Sequence, residues 1–146
     1  MIIDAEKKGG PSTALNDPRL TGIGKILRKY KLDEIPQLFN IFIGEMSFVG
    51  PRPQVEYYTQ RYSGEELSIL TVKPGLTDYA SIRFINLDEI LGDGDVDGIY
   101  ANEVEPEKNR LRIQYAKKCN FWIDLKILFM TLLKFFGIKI LWNTPK

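Results

Sequence analysis

Asp33 and Glu34 are the residues best suited to chemistry: two adjacent carboxylates standing directly ahead of Ile35-Pro36. Proline has a fixed φ and no N–H, which suits the first turn of a helix, so both acids fall at or just before a helix N-terminus. The free N–H groups and the positive end of the helix dipole favour anions there. The same point can hold a carboxylate, a phosphate, or both through a bridging cation. Arg28, Lys29 and Lys31 lie beside the pair and complete a candidate centre for phosphate chemistry. An acid in the first turn of a helix is also ordinary capping, and the local residues alone leave both readings open.

A second group follows at Gly50-Pro51-Arg52-Pro53. The glycine permits positive φ or close backbone approach, and the two prolines hold the flanking chain extended, so Arg52 projects from a segment with little backbone entropy left to lose. A planar guanidinium fixed in this way suits bidentate binding of phosphate or carboxylate. Pro-Arg-Pro also occurs in plain loops.

The elements that must position these groups are short. Residues 1 to 20 read as an exposed lead-in, with a turn at Asn16-Asp17-Pro18. A helix from Thr21 places Ile23, Ile26, Leu27 and Tyr30 on one face and Lys25, Arg28 and Lys29 on the other. After Pro36, Leu38, Phe39, Ile41 and Phe42 form an apolar helical face, which Gly44 ends at a C′ position. A helix containing Tyr57, Tyr58 and Tyr62, with the tyrosines as packing groups, ends at Ser63-Gly64, and residues 65–71 form another turn or two. The run 72–84 contains Pro74-Gly75 and predicts a turn between short extended pieces.

Charge is distributed unevenly. Residues 84–107 carry eight acids and no base, whereas residues 108–146 carry nine bases and a single acid, Asp124. The first stretch predicts a solvated acidic loop. Its Asp93-Gly94-Asp95-Val96-Asp97-Gly98 run superficially resembles a calcium loop, but Val104 stands where the bidentate glutamate at position twelve is required. A helix over 106–118 sets Leu111 and Tyr115 on one face. Over 121–142 the apolar arc is wide, with Asp124, Lys126, Thr131 and Lys134 on the remaining side, and the charges interrupt it too often for a single bilayer span. Trp122, Trp142, Phe135, Phe136 and the flanking lysines suit an interfacial helix, partly packed on the domain and partly in lipid.

With 146 residues, 44% hydrophobic and 27% charged, and a net charge of +1, the chain is expected to form one globular domain over residues 1–146. It has no histidine, which excludes an imidazole base, a His-ligated zinc and a Ser-His-Asp triad, so carboxylates must do any acid–base work. The lone Cys119 excludes an internal disulfide and a CxxC site, fits a reducing cytoplasmic environment, and reads as a half-buried helix residue. The bases of the tail are interleaved with a dense apolar face, which argues against nucleic acid as a partner.

The run DEIPQLFNIFIGEMSFVGPRP resembles the central signature of the bacterial sugar transferases, the monotopic polyprenyl-phosphate phosphoglycosyl transferases. NDPRLTGIGKILRKYKL, VKPGLTDYASIRF and FWIDLKILFMTLLK extend the resemblance over most of the chain. It implies transfer of a sugar-1-phosphate from a nucleoside diphosphate sugar, usually a UDP-sugar, to polyprenyl phosphate, with magnesium as cofactor. It further implies Asp33 as nucleophile and metal ligand, and Glu34 as a residue that assists the second half-reaction or helps position the metal. Arg52, held by Pro51 and Pro53, then becomes the diphosphate-binding cation, with Arg28 as a second. The expected fold is α+β, mainly α: a compact helical domain with a few short extended segments and amphipathic interface helices, on the cytoplasmic face of the bacterial inner membrane. Leu76-Thr77-Asp78-Tyr79 replaces the family's usual glycine-tryptophan variant and leaves the sugar open. Met1 matches the interior of the family pattern, so the upstream re-entrant helix and basic stretch are expected to be missing. A silent remnant or a membrane-surface interaction module is the competing class.

Overall fold

The computed structural model describes residues 19–30, 32–87 and 96–138. The lead-in before residue 19, Lys31, Asp93 to Asp95, Trp142, and the side chains of Arg28, Lys29 and Asp97 lie outside that description. The architecture is α+β and mainly α. Helix α1 (Gly22–Lys29) is followed by a 3-10 turn (Leu32–Glu34), α2 (Ile35–Phe42) and strand β1 (Ser47–Val49). Then come α3 (Glu56–Thr59), a 3-10 helix (Gly64–Thr71), β2 (Gly75–Thr77) and α4 (Tyr79–Arg83). A helical run closes the chain: α5 (Val96–Ile99), a π-helical turn (Tyr100–Val104), α6 (Glu105–Lys118) and α7 (Phe121–Phe135).

β1 and β2 pair in parallel, with Ser47 opposite Gly75 and Val49 opposite Thr77. A parallel pair needs a crossover, and residues 50–74 supply it with α3 and the 3-10 helix. The strands approach closely where they leave the ladder. A Cβ on Gly75 would fall onto the backbone N of Gly50, and one on Gly50 would fall onto the carbonyl O of Lys73. Gly50 is therefore required for close approach, one of the two roles its sequence allows.

The core gathers Val49, Tyr79, Ala80, Ile82, Leu111, Tyr115, Ile127 and Met130 against this pair of strands. Leu111 and Tyr115 share the buried stripe of α6 as the sequence predicts. Four expectations change, the last being Cys119, expected half-buried within a helix. The tyrosine helix stops at Thr59, leaving Tyr62 and Ser63 beyond it, because Ser63 and Glu66 form a reciprocal capping box that starts the next helix. In the run 72–84 only Gly75–Thr77 forms a strand; Tyr79–Arg83 is helical because the Asp78 carboxylate accepts from the Ser81 N–H at 2.6 Å. The described part of the expected acidic loop, 96–107, is helical, and it widens into a π turn just ahead of Pro106, which has no N–H to continue the ladder. Cys119 is exposed and lies past the end of α6.

Helix α7 docks through its polar side. Asn120 caps it by accepting from the Ile123 N–H, Asp124 accepts from the Tyr115 hydroxyl at 2.8 Å, and Thr131 bonds the Thr77 hydroxyl at 2.8 Å. Ile127 and Met130 fill the space between. Trp122, Phe129, Leu132, Phe135 and Phe136 are left exposed, Trp122 at 75%. The apolar faces of α1 and α2 are exposed as well, Phe42 at 87%, and α2 has no buried residue. Among the described residues no helix is long and apolar enough to cross a membrane.

Gly75→Ala is expected to destabilise the fold by about 3 kcal/mol or more, since the methyl meets backbone that cannot rotate away. Urea denaturation of the variant against wild type measures it; a loss under about 1 kcal/mol would mean that the strands can part.

Candidate active site

The 3-10 turn and α2 set the two carboxylates differently. Glu34 occupies the N-cap position of α2, yet its side chain makes no capping hydrogen bond. It turns instead to Arg52, accepting from Nη2 at 3.1 Å. For Glu34, the ordinary capping reading is thereby set aside. Asp33 is exposed and has no hydrogen-bond or ion-pair partner among the described residues. One acid of the pair is engaged and the other is open.

Arg52 is positioned by the strand exit. The Gly50 N–H donates to Thr77 O at 2.9 Å and the Gly75 N–H to Pro51 O at 3.0 Å, so the chain is tied to β2 up to the residue before Arg52. Pro51 is buried and Pro53 exposed. The guanidinium projects from this fixed segment and reaches back to Glu34, bringing together three of the sequence-predicted residues, Glu34, Arg52 and, as its neighbour in the chain, Asp33. The backbone of Arg28 lies in α1. Pro51 and Pro53 flank Arg52 in this segment.

Beyond the ends of the same strands lies a cluster the sequence reasoning did not single out. Asp78 follows β2 and is fully buried; Arg112, 4% exposed, sits with Nε 3.5 Å from Asp78 Oδ2. Lys108 precedes Arg112 by one turn of α6, and its Nζ lies 4.8 Å from the centre of the Tyr100 ring and 5.6 Å from that of Phe84. Burial pulls the Lys108 ammonium down to about 8; the Arg112 and Arg52 guanidiniums add to this, against Asp78 and Glu105. Burial also pushes the Tyr100 phenol up to about 12. The signal was spacing: Lys108, Leu111, Arg112 and Tyr115 repeat at i, i+3, i+4 and i+7, which puts two bases on a core stripe. A separate cleft of about 290 Å³, lined by Ser47, Val49, Lys73, Tyr115 and Asp124 among others, contains none of the predicted site residues.

With this geometry in place, comparison with known proteins gives the family. The family model described as bacterial sugar transferase matches residues 1–137. The chain belongs to this family. It is 40% identical over 116 residues to the undecaprenyl-phosphate galactose phosphotransferase of Salmonella typhimurium, covering 80% of this chain and 21% of that protein. It is 42% identical over 117 residues to the exopolysaccharide production protein ExoY of Rhizobium meliloti, covering 80% of this chain and 45% of the relative. The UDP-glucose:undecaprenyl-phosphate glucose-1-phosphate transferase of Escherichia coli is 38% identical over 125 residues, 83% of this chain and 25% of that protein. The chain thus spans less than half the length of these sugar transferase relatives.

Both side chains of the Glu34–Arg52 pair are partly exposed, 28% and 33%, so solvent screens the attraction. A double-mutant cycle with Glu34→Gln and Arg52→Gln is expected to give a stability coupling under about 1 kcal/mol. A coupling above about 2 kcal/mol would make the pair a structural bridge.

Proposed function

We propose that the chain performs phosphoglycosyl transfer, moving a sugar-1-phosphate from a UDP-sugar to polyprenyl phosphate and releasing UMP. The observation that carries this reading is the open Asp33 carboxylate beside the Glu34–Arg52 pair, in a chain of the bacterial sugar transferase family. The names of the Salmonella and Escherichia relatives support polyprenyl phosphate as acceptor, and the Escherichia name supports a UDP-sugar as donor.

In the first half-reaction an Asp33 carboxylate oxygen attacks the phosphorus bearing the sugar, and the bond from that phosphorus to the bridging oxygen breaks, with both electrons leaving on UMP. In the second half-reaction a phosphate oxygen of the lipid attacks the same phosphorus, and Asp33 departs as the free carboxylate. Glu34 assists this step or helps position the metal, and Arg52 binds the diphosphate through the N–H groups that Glu34 leaves unused. Splitting one displacement into two lets a weak acceptor phosphate react with an already activated phosphosugar.

Among the described residues no three His, Cys, Asp or Glu side chains gather into an all-protein metal cage. The open Asp33 instead fits a shared magnesium site, in which one or two carboxylates and substrate phosphates complete the coordination. Held there, the ion would offset the repulsion between the anionic nucleophile and the diphosphate. The residue that would hold it is Asp33, with Glu34 beside it in the chain.

The acceptor is a lipid, and the exposed faces of α1, α2 and α7 supply the apolar surface for a membrane interface. Trp122 and the Phe135-Phe136 pair on α7, with Lys126 also exposed, match an interfacial helix on the cytoplasmic face of the bacterial inner membrane. The same faces would serve a membrane-surface interaction module without transfer, and the variants below separate the two.

Asp33→Asn is expected to lower transfer of label from a UDP-sugar to polyprenyl phosphate by about 10³-fold or more while leaving the fold intact, since the amide keeps the size of the side chain but is not a nucleophile. Turnover equal to wild type would remove Asp33 from this role, and a wild type without turnover would favour the interaction module.

Flotation with anionic liposomes is expected to carry the chain at low salt and less of it at high salt, without complete loss, because apolar burial is not screened. Trp122→Glu with Phe129→Glu should abolish it. Equal flotation of this variant would place the lipid contact elsewhere.

A further inference from the structure

Arg112 is buried against a single carboxylate, Asp78, and Lys108 stands half-buried beside it with no carboxylate of its own among the described residues. Arg112 has Nε and Nη1 shut off from solvent with no hydrogen-bond partner, and the facing Asp78 Oδ2 has none either. Asp78 gives its other oxygen to the Ser81 N–H and hydroxyl, both at 2.6 Å. The Tyr62 hydroxyl, near the guanidinium, donates to Asn109 Oδ1 at 3.4 Å. Lys108 lies over the rings of Tyr100 and Phe84 and has no carboxylate within ion-pair distance among the described residues. An unpaired charge held away from water is costly unless something of opposite sign completes it.

The location indicates what that partner is. Asp78 leaves the carboxyl end of β2 as Arg52 leaves the carboxyl end of β1, and Gly50 N to Thr77 O ties the two exits together. Ligand crevices in parallel sheets commonly open at this end. We propose that Lys108, with Arg112 behind it, forms a second anion subsite beside Arg52 that takes a phosphoryl group of the donor's diphosphate. Arg52 then holds one phosphoryl group and Lys108 the next, while Arg112 acts through its charge and keeps Asp78 from neutralising Lys108. The assignment rests on the donor reading above, and it makes Lys108 a binding residue and Arg112 a positioning one.

The groups facing Lys108 are Arg112 and Glu105 from α6, Asp78 ahead of α4, Arg52 past β1, and the Tyr100 phenol, which stays neutral below about 12. Lys108 itself loses its proton near 8 in the free chain, and a phosphoryl anion against it favours the charged form. Anion binding is therefore strong below about 8 and weakens as pH rises through it.

The test is calorimetric titration of wild type and Lys108→Gln with UDP and, separately, inorganic pyrophosphate, without metal, at pH 7 and pH 9. Wild type is expected to lose about tenfold in affinity from pH 7 to pH 9 beyond any change in Lys108→Gln, whose baseline carries the ligand's own ionisation. At pH 7 the variant should bind both probes about tenfold more weakly. UDP bound equally by both proteins overturns the subsite and leaves the donor reading standing. Pyrophosphate bound in a Lys108-dependent way without UDP binding upholds the subsite and overturns the nucleotide. Failure of wild type to bind either probe overturns both. Should Lys108→Gln not fold, a wild-type affinity unchanged between pH 7 and pH 9 overturns the subsite on its own.

Discussion

The backbones of β1 and β2 touch at Gly50 and Gly75 with no space for a Cβ on either, and the placement of Arg52 depends on that contact. Two strands of three residues have too little ladder to stand alone. They are held by what packs on them: Val49 enters the core cluster, and the Tyr115 hydroxyl of α6 lies 3.2 Å from Val49 O and 2.8 Å from Asp124 Oδ1 of α7. Burial, reinforced by Asp124, keeps that phenol well above its usual range, so it remains a donor at any working pH. One hydroxyl therefore links a strand and two helices, and the strand in turn fixes the start of Pro51-Arg52-Pro53.

Helix α7 reverses the usual relation between polarity and burial. Its inward stripe carries Asp124 and Thr131 with only Ile127 and Met130 as large buried apolar side chains, and its outward arc holds the aromatics. Such a helix is stable against the domain because each polar group facing inward has a partner: Tyr115 for Asp124 and Thr77 for Thr131. Leaving Phe129, Leu132 and Phe136 exposed forgoes about 1.5–3 kcal/mol for each fully buried equivalent, a cost that a lipid interface would recover. α1 and α2 follow the same plan, since their apolar faces were drawn correctly from periodicity yet turn away from the core.

Periodicity and special residues made much of this legible. Pro36 gave the start of α2, Gly44 its end, the Leu111 and Tyr115 stripe the buried side of α6, and the density of charge and proline between Asp33 and Pro53 the site itself. What failed were inferences that needed a partner not adjacent in sequence. Nothing local reveals that Asp78 would cap α4 and oppose Arg112, because the two residues are separated by a segment of mixed structure and the pairing exists only after α6 packs on α4. Lys108 and Arg112 stand on a core stripe, but a basic residue at such a position ordinarily snorkels to water, and only the packed structure tells that Arg112 is buried and Lys108 half-buried. The outward face of α7 could not be chosen from its pattern, since its polar side finds partners in the domain and its apolar arc would suit either a core or a lipid surface.

A half-exposed ion pair beside an open carboxylate suits a site that must accept a highly charged ligand. Arg52 is engaged with Glu34 through one nitrogen only, and guanidinium offers five N–H donors in a fixed plane. Glu34 thus orients the fork without consuming it. In the proposed transfer, an Asp33 that also sat on Arg52 would have to leave an ion pair before attack, and the arriving diphosphate would compete with both acids. Assigning one acid to hold the cation and leaving the next free removes that conflict. Under the proposed transfer the two adjacent carboxylates would divide the work, Glu34 on Arg52 and Asp33 toward the donor, and positioning of this kind is most of what a protein adds to phosphoryl transfer.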